Sequence, residues 1–237
     1  MTIRVAAIEV SHWHALYDAA YHRHLVAMPD VELVAIQDSD AGLVAKRAAE
    51  VGSPPTFTDY RKMLATTRPD FVLALRRHRQ MAGIAHDLLD QGCPFLMEKP
   101  RLDMFLHLTG EEAQVTGAQL SHRAHEHPVE DYASVILRSA SGILGTVEVG
   151  NGFPRDGTDG EWKIAGRDAI LTMKDGIMKL VTADGDETLP GANVTAPVFT
   201  TVRDALDHWR RGASPPISAH DCARVVRLID QAYERAG

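Results

Sequence analysis

Short apolar runs alternate with amphipathic segments through the first hundred residues of the chain. Continuous apolar runs are typical of buried parallel strands, and apolar residues that recur every three or four positions predict helices between them. The pattern predicts strands at 3–8, 31–36, 70–75 and 94–97, and helices at 15–28, 41–51, 60–65 and 80–91. Repeated strand–helix units at this spacing indicate an α/β fold with a doubly wound parallel sheet.

After residue 110 the pattern changes to short alternating segments separated by glycine, serine or aspartate. Strands are expected at 132–138, 143–149, 161–165, 169–173 and 177–181. Together they predict an open antiparallel sheet. Two apolar stripes then predict closing helices, and their members are Val202, Ala205, Leu206 and Trp209, followed by Cys222, Val225, Val226, Ile229 and Tyr233. We expect an α/β domain over residues 1–100 and an α+β domain over 101–237.

The composition is that of a globular protein and mainly excludes other classes. The net charge is −7, and acids and bases are interspersed, which disfavours a nucleic-acid surface. No apolar run approaches the roughly 18 residues that a membrane helix needs. The first residues have no signal-peptide layout, and Cys93 and Cys222 are too far apart to suggest a disulfide framework. These features favour a cytoplasmic protein.

The turn after the first strand is where a dinucleotide-binding fold places the motif G-x-G-x-x-G. Its glycines let the backbone approach a pyrophosphate at a helix N-terminus. Here the three glycine positions hold Glu9, Ser11 and His14, whose side chains crowd a phosphate. Backbone N–H groups and the helix dipole can still bind an anion, and Ser11 can cap the helix. We take Ser11, His12 and Trp13 as candidate cofactor-binding residues.

An acidic residue follows the second strand. At this position Asp38 can accept hydrogen bonds from an adenosine ribose, and its charge disfavours a 2′-phosphate, which points to NAD rather than NADP. A second interpretation fits Asp38 or Asp40 equally well, namely that its side chain forms the turn before the next helix.

The fourth apolar run stops abruptly at Glu98-Lys99-Pro100. Ligands of open α/β sheets bind at the carboxyl ends of the strands. A lysine fixed there can move protons or stabilise developing negative charge. Lys99 is therefore the candidate catalytic residue, although a lysine after a buried strand is often simply solvated.

Several sequence blocks carry a resemblance to a known family. They lie at 31–40, 57–60, 69–72, 88–92 and 98–100, and in the second half at 130–133, 141–145, 166–171 and 229–233. In order and spacing these blocks resemble the Gfo/Idh/MocA oxidoreductases, the family of glucose–fructose oxidoreductase and inositol dehydrogenase.

The resemblance implies a Rossmann-like domain followed by an open antiparallel sheet that is used for substrate binding and self-association. It implies hydride exchange between a nicotinamide cofactor and a sugar-like or cyclitol substrate, in a homo-oligomer with no nucleic-acid or membrane partner. Lys99 would then contact the reacting hydroxyl and Glu98 would help to set the turn. Arg76, Glu98, Lys99 and Pro100 join the expected cofactor-binding residues on the same basis.

The chain departs from the family in three places. The glycine motif is replaced, and the family's Thr-Pro after the fourth strand is Arg76-Arg77, with Met81 where a histidine usually follows. A long segment of the usual chain is absent between Pro100 and Leu102, so that the second domain is truncated and the family's catalytic Asp and His are missing. The alternative is therefore a catalytically inactive cofactor- or sugar-binding relative that acts as a regulatory or structural subunit.

The chain has twelve histidines, and a third interpretation is a metal-binding module. On a strand, His125 and His127 would share a face, and zinc accepts imidazole. A closed zinc site needs four ligands, and the remaining ligands are not evident, so no metal is predicted. His22 and His24 are expected to lie on a helix surface.

Overall fold

The protein is described here by a computed structural model covering residues 2–11, 21–75, 78–97, 102–123, 130–150, 160–174, 176–190, 196–215 and 217–236. It divides into two compact units. The first unit is Met1–Glu98 with Gly191–Pro216, and the second is Lys99–Pro190 with Ile217–Gly237.

The first unit is built on a five-stranded parallel sheet with the order β3-β2-β1-β4-β5. The strands are β1 (Ile3–Ile8), β2 (Val31–Gln37), β3 (Thr56–Phe57), β4 (Phe71–Ala74) and β5 (Phe95–Met97). The helices are α1 (Tyr21–Ala27), α2 (Ala41–Glu50), α3 (Tyr60–Thr67) and α4 (His78–Asp90). The predicted doubly wound sheet is confirmed. The two-residue strand β3 was not predicted, because so short a segment carries no periodic signal.

Both faces of this sheet are covered by apolar side chains, which explains why the strands read as continuous hydrophobic runs. One layer joins β1 to α1 and α2, and it includes Val5, Ala7, Leu25, Met28 and Val44. The other layer joins the opposite face to α3 and α4, and it includes Ala6, Ile8, Met63, Ile84 and Leu88. The helices therefore hold a rigid sheet whose edges position the turns that follow the strands.

A helix from the second half of the sequence completes the first unit. In α6 (Ala196–Arg210), Leu206 is fully buried in the same layer as β1 and α1. The Trp209 ring meets the Phe71 ring edge-on, with centroids 5.9 Å apart. The sequence predicted one boundary near residue 100. It did not predict that the segment 191–216 would lie with the first unit. An apolar stripe in a sequence does not say which sheet it covers.

The second unit contains two antiparallel sheets. One has the order β6-β7-β8, with β6 (Ala113–Ser121), β7 (Tyr132–Ser139) and β8 (Leu144–Gly150). The other has the order β12-β11-β10-β9, with β9 (Glu161–Ala165), β10 (Ala169–Lys174), β11 (Ile177–Thr182) and β12 (Gly185–Leu189). The α+β character expected of this half is confirmed, and β6 and β12 are additions to the prediction.

Helices α5 (Asp103–Thr109) and α7 (Ala219–Ala236) share an apolar core with the first of these sheets. The buried face of α7 comprises Val225, Leu228 and Ala232. The predicted stripe is wrong for Val226 and Tyr233, which are 48% and 50% exposed. The buried face is displaced from the predicted stripe because the sheet covers Val225, Leu228 and Ala232, which follow one another at intervals of three and four residues.

A hydrogen-bonded cap begins α7. The Ser218 N–H donates to Asp221 Oδ2 at 2.8 Å, and the Asp221 N–H donates to Ser218 Oγ at 3.3 Å. Hydrogen bonds from the Ser218 hydroxyl and N–H hold the pKa of Asp221 below its usual value.

The surface position expected for His22 is wrong. Only 4% of His22 is exposed, because α1 packs against both β2 and α6. His24 is half-buried, and its ring meets the Phe199 ring edge-on at 5.9 Å between centroids. Among the described helices, none is long and apolar enough to cross a membrane.

Candidate functional site

Four neighbouring parallel strands end at one level of the first sheet. In the register of the sheet, Ile8 of β1 is matched with Gln37 of β2 and with Ala74 of β4, and Ala74 is matched with Met97 of β5. The sequence-predicted site segments follow directly after these four positions. In open α/β sheets this carboxyl edge, beside the point where the strand order reverses, is where ligands bind.

The first turn keeps a glycine-like backbone without a glycine. Glu9 has a φ of 58°, in the left-handed region, and it occupies the position of the first glycine of the dinucleotide motif. An L-residue in this region costs about 1–2 kcal/mol. Such a conformation persists only where its surroundings hold it.

Three successive backbone N–H groups of the turn are bonded to the end of β2. The Glu9 N–H donates to Gln37 Oε1 at 3.4 Å, and the Val10 N–H donates to the Gln37 carbonyl oxygen at 3.2 Å. The Ser11 N–H donates to Asp38 Oδ2 at 2.8 Å. These three donors are engaged within the protein, so they are not the groups that would cradle a pyrophosphate.

The carboxylate of Asp38 is turned into the protein. Only 2% of the residue is exposed, and its second oxygen, Oδ1, accepts the Asp40 N–H at 3.0 Å. Asp40 has a different role, because it caps α2 by accepting the N–H groups of Gly42 and Leu43 at 2.9 and 3.0 Å. Each of these two acids therefore supports a turn before α2, which is the alternative that the sequence left open. The ribose contact of Asp38 stays a prediction.

Sequence reasoning missed Gln37. It is 2% exposed, and its side-chain amide donates to the Thr58 carbonyl oxygen at 3.1 Å while its carbonyl oxygen faces Glu9. The available signal was a glutamine at the end of an otherwise apolar strand, immediately before an acid. A polar side chain in that place needs partners when it is buried.

The structure brings together two of the predicted site residues, Ser11 and Asp38, and the Ser11 side chain is exposed. The other predicted site residues lie outside the described residues. They are His12, Trp13, Arg76, Glu98, Lys99 and Pro100.

Two carboxyl groups in the described ranges have pKa values lowered by local structural contacts. The Tyr60 hydroxyl and the Arg61 guanidinium lower the pKa of Asp87, which links α3 to α4. Hydrogen bonds from Ser139 and Ser141 lower the pKa of Glu111 at a hairpin.

Across the described part of the chain, no group of His, Cys, Asp and Glu is arranged to hold a metal ion. His125 and His127, the pair considered for zinc, lie outside it.

Comparison with known proteins finds a domain match over part of the chain and a shared fold over the whole. Residues 101–172 match the GFO/IDH/MocA C-terminal domain. None of the curated proteins matches the chain in sequence.

Solved structures align from end to end. UDP-N-acetylglucosamine 3-dehydrogenase GnnA from Acidithiobacillus ferrooxidans is 14% identical, with 99% of this chain and 98% of that chain covered and a TM-score of 0.80. Levoglucosan dehydrogenase, in complex with NADH and levoglucosan, is 13% identical, with 100% and 97% covered and a TM-score of 0.80. KijD10, a 3-ketoreductase from Actinomadura kijaniata in complex with TDP-benzene and NADP, is 17% identical, with 99% and 98% covered and a TM-score of 0.73. The chain therefore has the fold of these oxidoreductases, and its residues 101–172 match the C-terminal domain of the GFO/IDH/MocA family.

Proposed function

We propose that the protein is an NAD(P)-dependent oxidoreductase that transfers hydride between a nicotinamide cofactor and a sugar-like or cyclitol substrate. The common level at which β1, β2, β4 and β5 end carries this proposal, because the candidate segments all begin there. Related folds bind such molecules, since levoglucosan dehydrogenase holds NADH with a sugar and KijD10 holds NADP.

The first turn fits a dinucleotide in two respects and limits it in a third. Its glycine-like φ at Glu9 gives the backbone path of the motif, and the exposed Ser11 hydroxyl can donate to a phosphate oxygen. Because the N–H groups of residues 9–11 already bond within the protein, the Ser11 hydroxyl is the donor that these residues can offer to a phosphate. When bound, a nicotinamide supplies a hydride acceptor or donor.

Lys99 is the proposed catalytic residue. Its ammonium group would hold the reacting hydroxyl and stabilise negative charge on that oxygen as its proton leaves. Because the family's Asp and His are missing from the sequence, the proton would pass onward to water. Glu98 and Pro100 would fix the turn that carries Lys99, and Arg76, His12 and Trp13 would line the cofactor pocket.

We propose NAD rather than NADP as the cofactor, because a 2′-phosphate brought to the end of β2 would meet the charge of Asp38. This argument needs the charge alone and no hydrogen bond to the ribose. NAD at a hundred times its Kd should raise the Tm by about 5–10 °C, and NADP should raise it less. The Asp38→Asn variant should bring the two affinities closer together. No shift in Tm at millimolar NAD would contradict the cofactor proposal.

A second candidate is a relative that binds cofactor or sugar without turnover and serves as a regulatory or structural subunit. The engaged amides of the first turn and the missing Asp and His favour it. Binding of NAD together with no NADH formation across a panel of sugars and cyclitols would support this candidate over the enzyme.

We also propose a homo-oligomer formed through the C-terminal sheet. One face of β9, β10 and β11 is apolar and half-buried, and it comprises Trp162, Ile164, Leu171, Met173, Met178 and Leu180. A second copy of the chain would cover this face. Sedimentation at micromolar concentration should give a dimer or larger species, and Met173→Lys should shift it to monomer. A monomeric wild-type chain would contradict the proposal.

We propose a cytoplasmic location. Neither of the two described cysteines, Cys93 and Cys222, forms a disulfide, and reduced thiols suit a reducing compartment.

A further inference from the structure

We propose that Asp38 is a positioning residue: its carboxylate holds the glycine-free first turn against the end of β2. The turn so held is the surface on which a cofactor would bind. The inference depends on the proposed function only in its effect on cofactor affinity. Its structural part concerns the protein without any ligand.

The geometry of the carboxylate supports this role. One oxygen accepts the Ser11 N–H at 2.8 Å and the other accepts the Asp40 N–H at 3.0 Å, so a single side chain joins residues 27 and 2 positions away. The bond to Ser11 has the length of a charge-assisted bond, and the bond to Asp40 has that of an ordinary N–H···O bond. With 2% of the residue exposed, water competes little for either oxygen.

The turn has a specific need for such an anchor. Glu9 adopts a left-handed φ that an L-residue does not favour, and none of the three motif positions carries the glycine that would relax the backbone. The other two turn amides reach Gln37 by longer bonds, at 3.4 and 3.2 Å. The Asp38 bond is the shortest of the three and has the only charged acceptor, so we expect it to hold the turn most strongly.

The carboxylate cannot be replaced by its isosteric amide. Two N–H donors converge on Asp38, and each needs an acceptor. An asparagine offers one oxygen and one NH2 group, so one of the two donors would face another donor. Asp38→Asn therefore keeps the volume of the side chain and breaks one end of the link.

The test is amide hydrogen exchange of the full chain without cofactor. In the wild-type protein the Ser11 and Asp40 amides should be protected, and in Asp38→Asn at least one of them should exchange about tenfold faster. The Tm should fall by about 5 °C. The affinity for NAD, measured well below the Tm, should fall by about tenfold.

Asp59→Ala is the matched control. The Asp59 carboxylate also accepts two backbone N–H bonds, from Arg61 at 2.8 Å and Lys62 at 3.4 Å, at the exposed start of α3. This variant should lower the Tm by a similar amount and leave the NAD affinity within about twofold of wild type. An equal loss of NAD affinity in both variants would mean general destabilisation and would overturn the positioning role.

The exchange measurement tests the anchoring role of Asp38 independently of any cofactor. An unprotected Ser11 amide in the wild-type protein, or unchanged exchange in Asp38→Asn, would show that the carboxylate does not hold the turn. If the wild-type protein binds neither NAD nor NADP, the proposed cofactor fails, whereas the exchange result still decides whether Asp38 anchors the turn.

Discussion

Replacing Lys99 by alanine should abolish sugar-dependent NADH formation and leave the affinity for NAD within about twofold of wild type. A side chain that stabilises the reacting oxygen acts mainly in the transition state, so its loss should lower kcat by about 10²–10⁴-fold. Binding of the cofactor elsewhere along the edge of the sheet should change little. Steady-state kinetics with the best sugar substrate, together with calorimetric titration of NAD, measure the two effects separately.

The matched control for this variant is Lys62→Ala. Lys62 is an exposed lysine on α3 and is not one of the proposed site residues, so its removal makes the same change in net charge without touching the proposed chemistry. Its kcat and KM should equal those of the wild type. If Lys99→Ala were as active as Lys62→Ala, the chemistry would lie at another residue.

Replacing Leu206 by alanine should destabilise the protein by about 2–5 kcal/mol, which corresponds to a Tm lower by roughly 5–15 °C. Leu206 is fully buried in the layer formed by β1, α1 and α2. Its helix is also tied to the first unit by Arg203, which donates to Asp30 at 2.7 Å. A cavity at this position therefore opens the core of the parallel sheet, although the residue comes from the last fifth of the chain.

Leu89→Ala provides the comparison for the core variant. Leu89 lies on α4 in the same unit and is 60% exposed, so this change should alter the stability by less than about 0.5 kcal/mol. Thermal or urea unfolding measures both variants. An equally small effect of Leu206→Ala would contradict the placement of α6 in the first unit.

The parallel sheet could be predicted from the sequence because strands buried on both faces leave continuous apolar runs. Strand β6 could not, since Ala113–Ser121 mixes glycine and glutamine with apolar residues and its register shifts between Val115 and Gly117. The sequence also did not show which sheet α6 packs against. Its apolar stripe was recognised, but periodicity describes one helix and carries no information about the partner sheet.

The candidate site was predicted in part. Asp38 was identified from its place after β2, and its partner Ser11 was identified separately from the motif position. The bond between them follows from the pairing of Ile8 with Gln37, which becomes known only when the strands are aligned. Gln37 was missed because a buried amide has no distinctive spacing in a sequence.

The left-handed conformation of Glu9 has a consequence for how such chains are found. A scan of genomes for glycine spacing would pass over this protein, although Glu9 has the left-handed backbone that the first of those glycines normally provides. A non-glycine residue can thus hold such a turn when a neighbouring strand supplies the restraint. A survey that compares backbone torsion angles instead of residue types should find more proteins with such a turn.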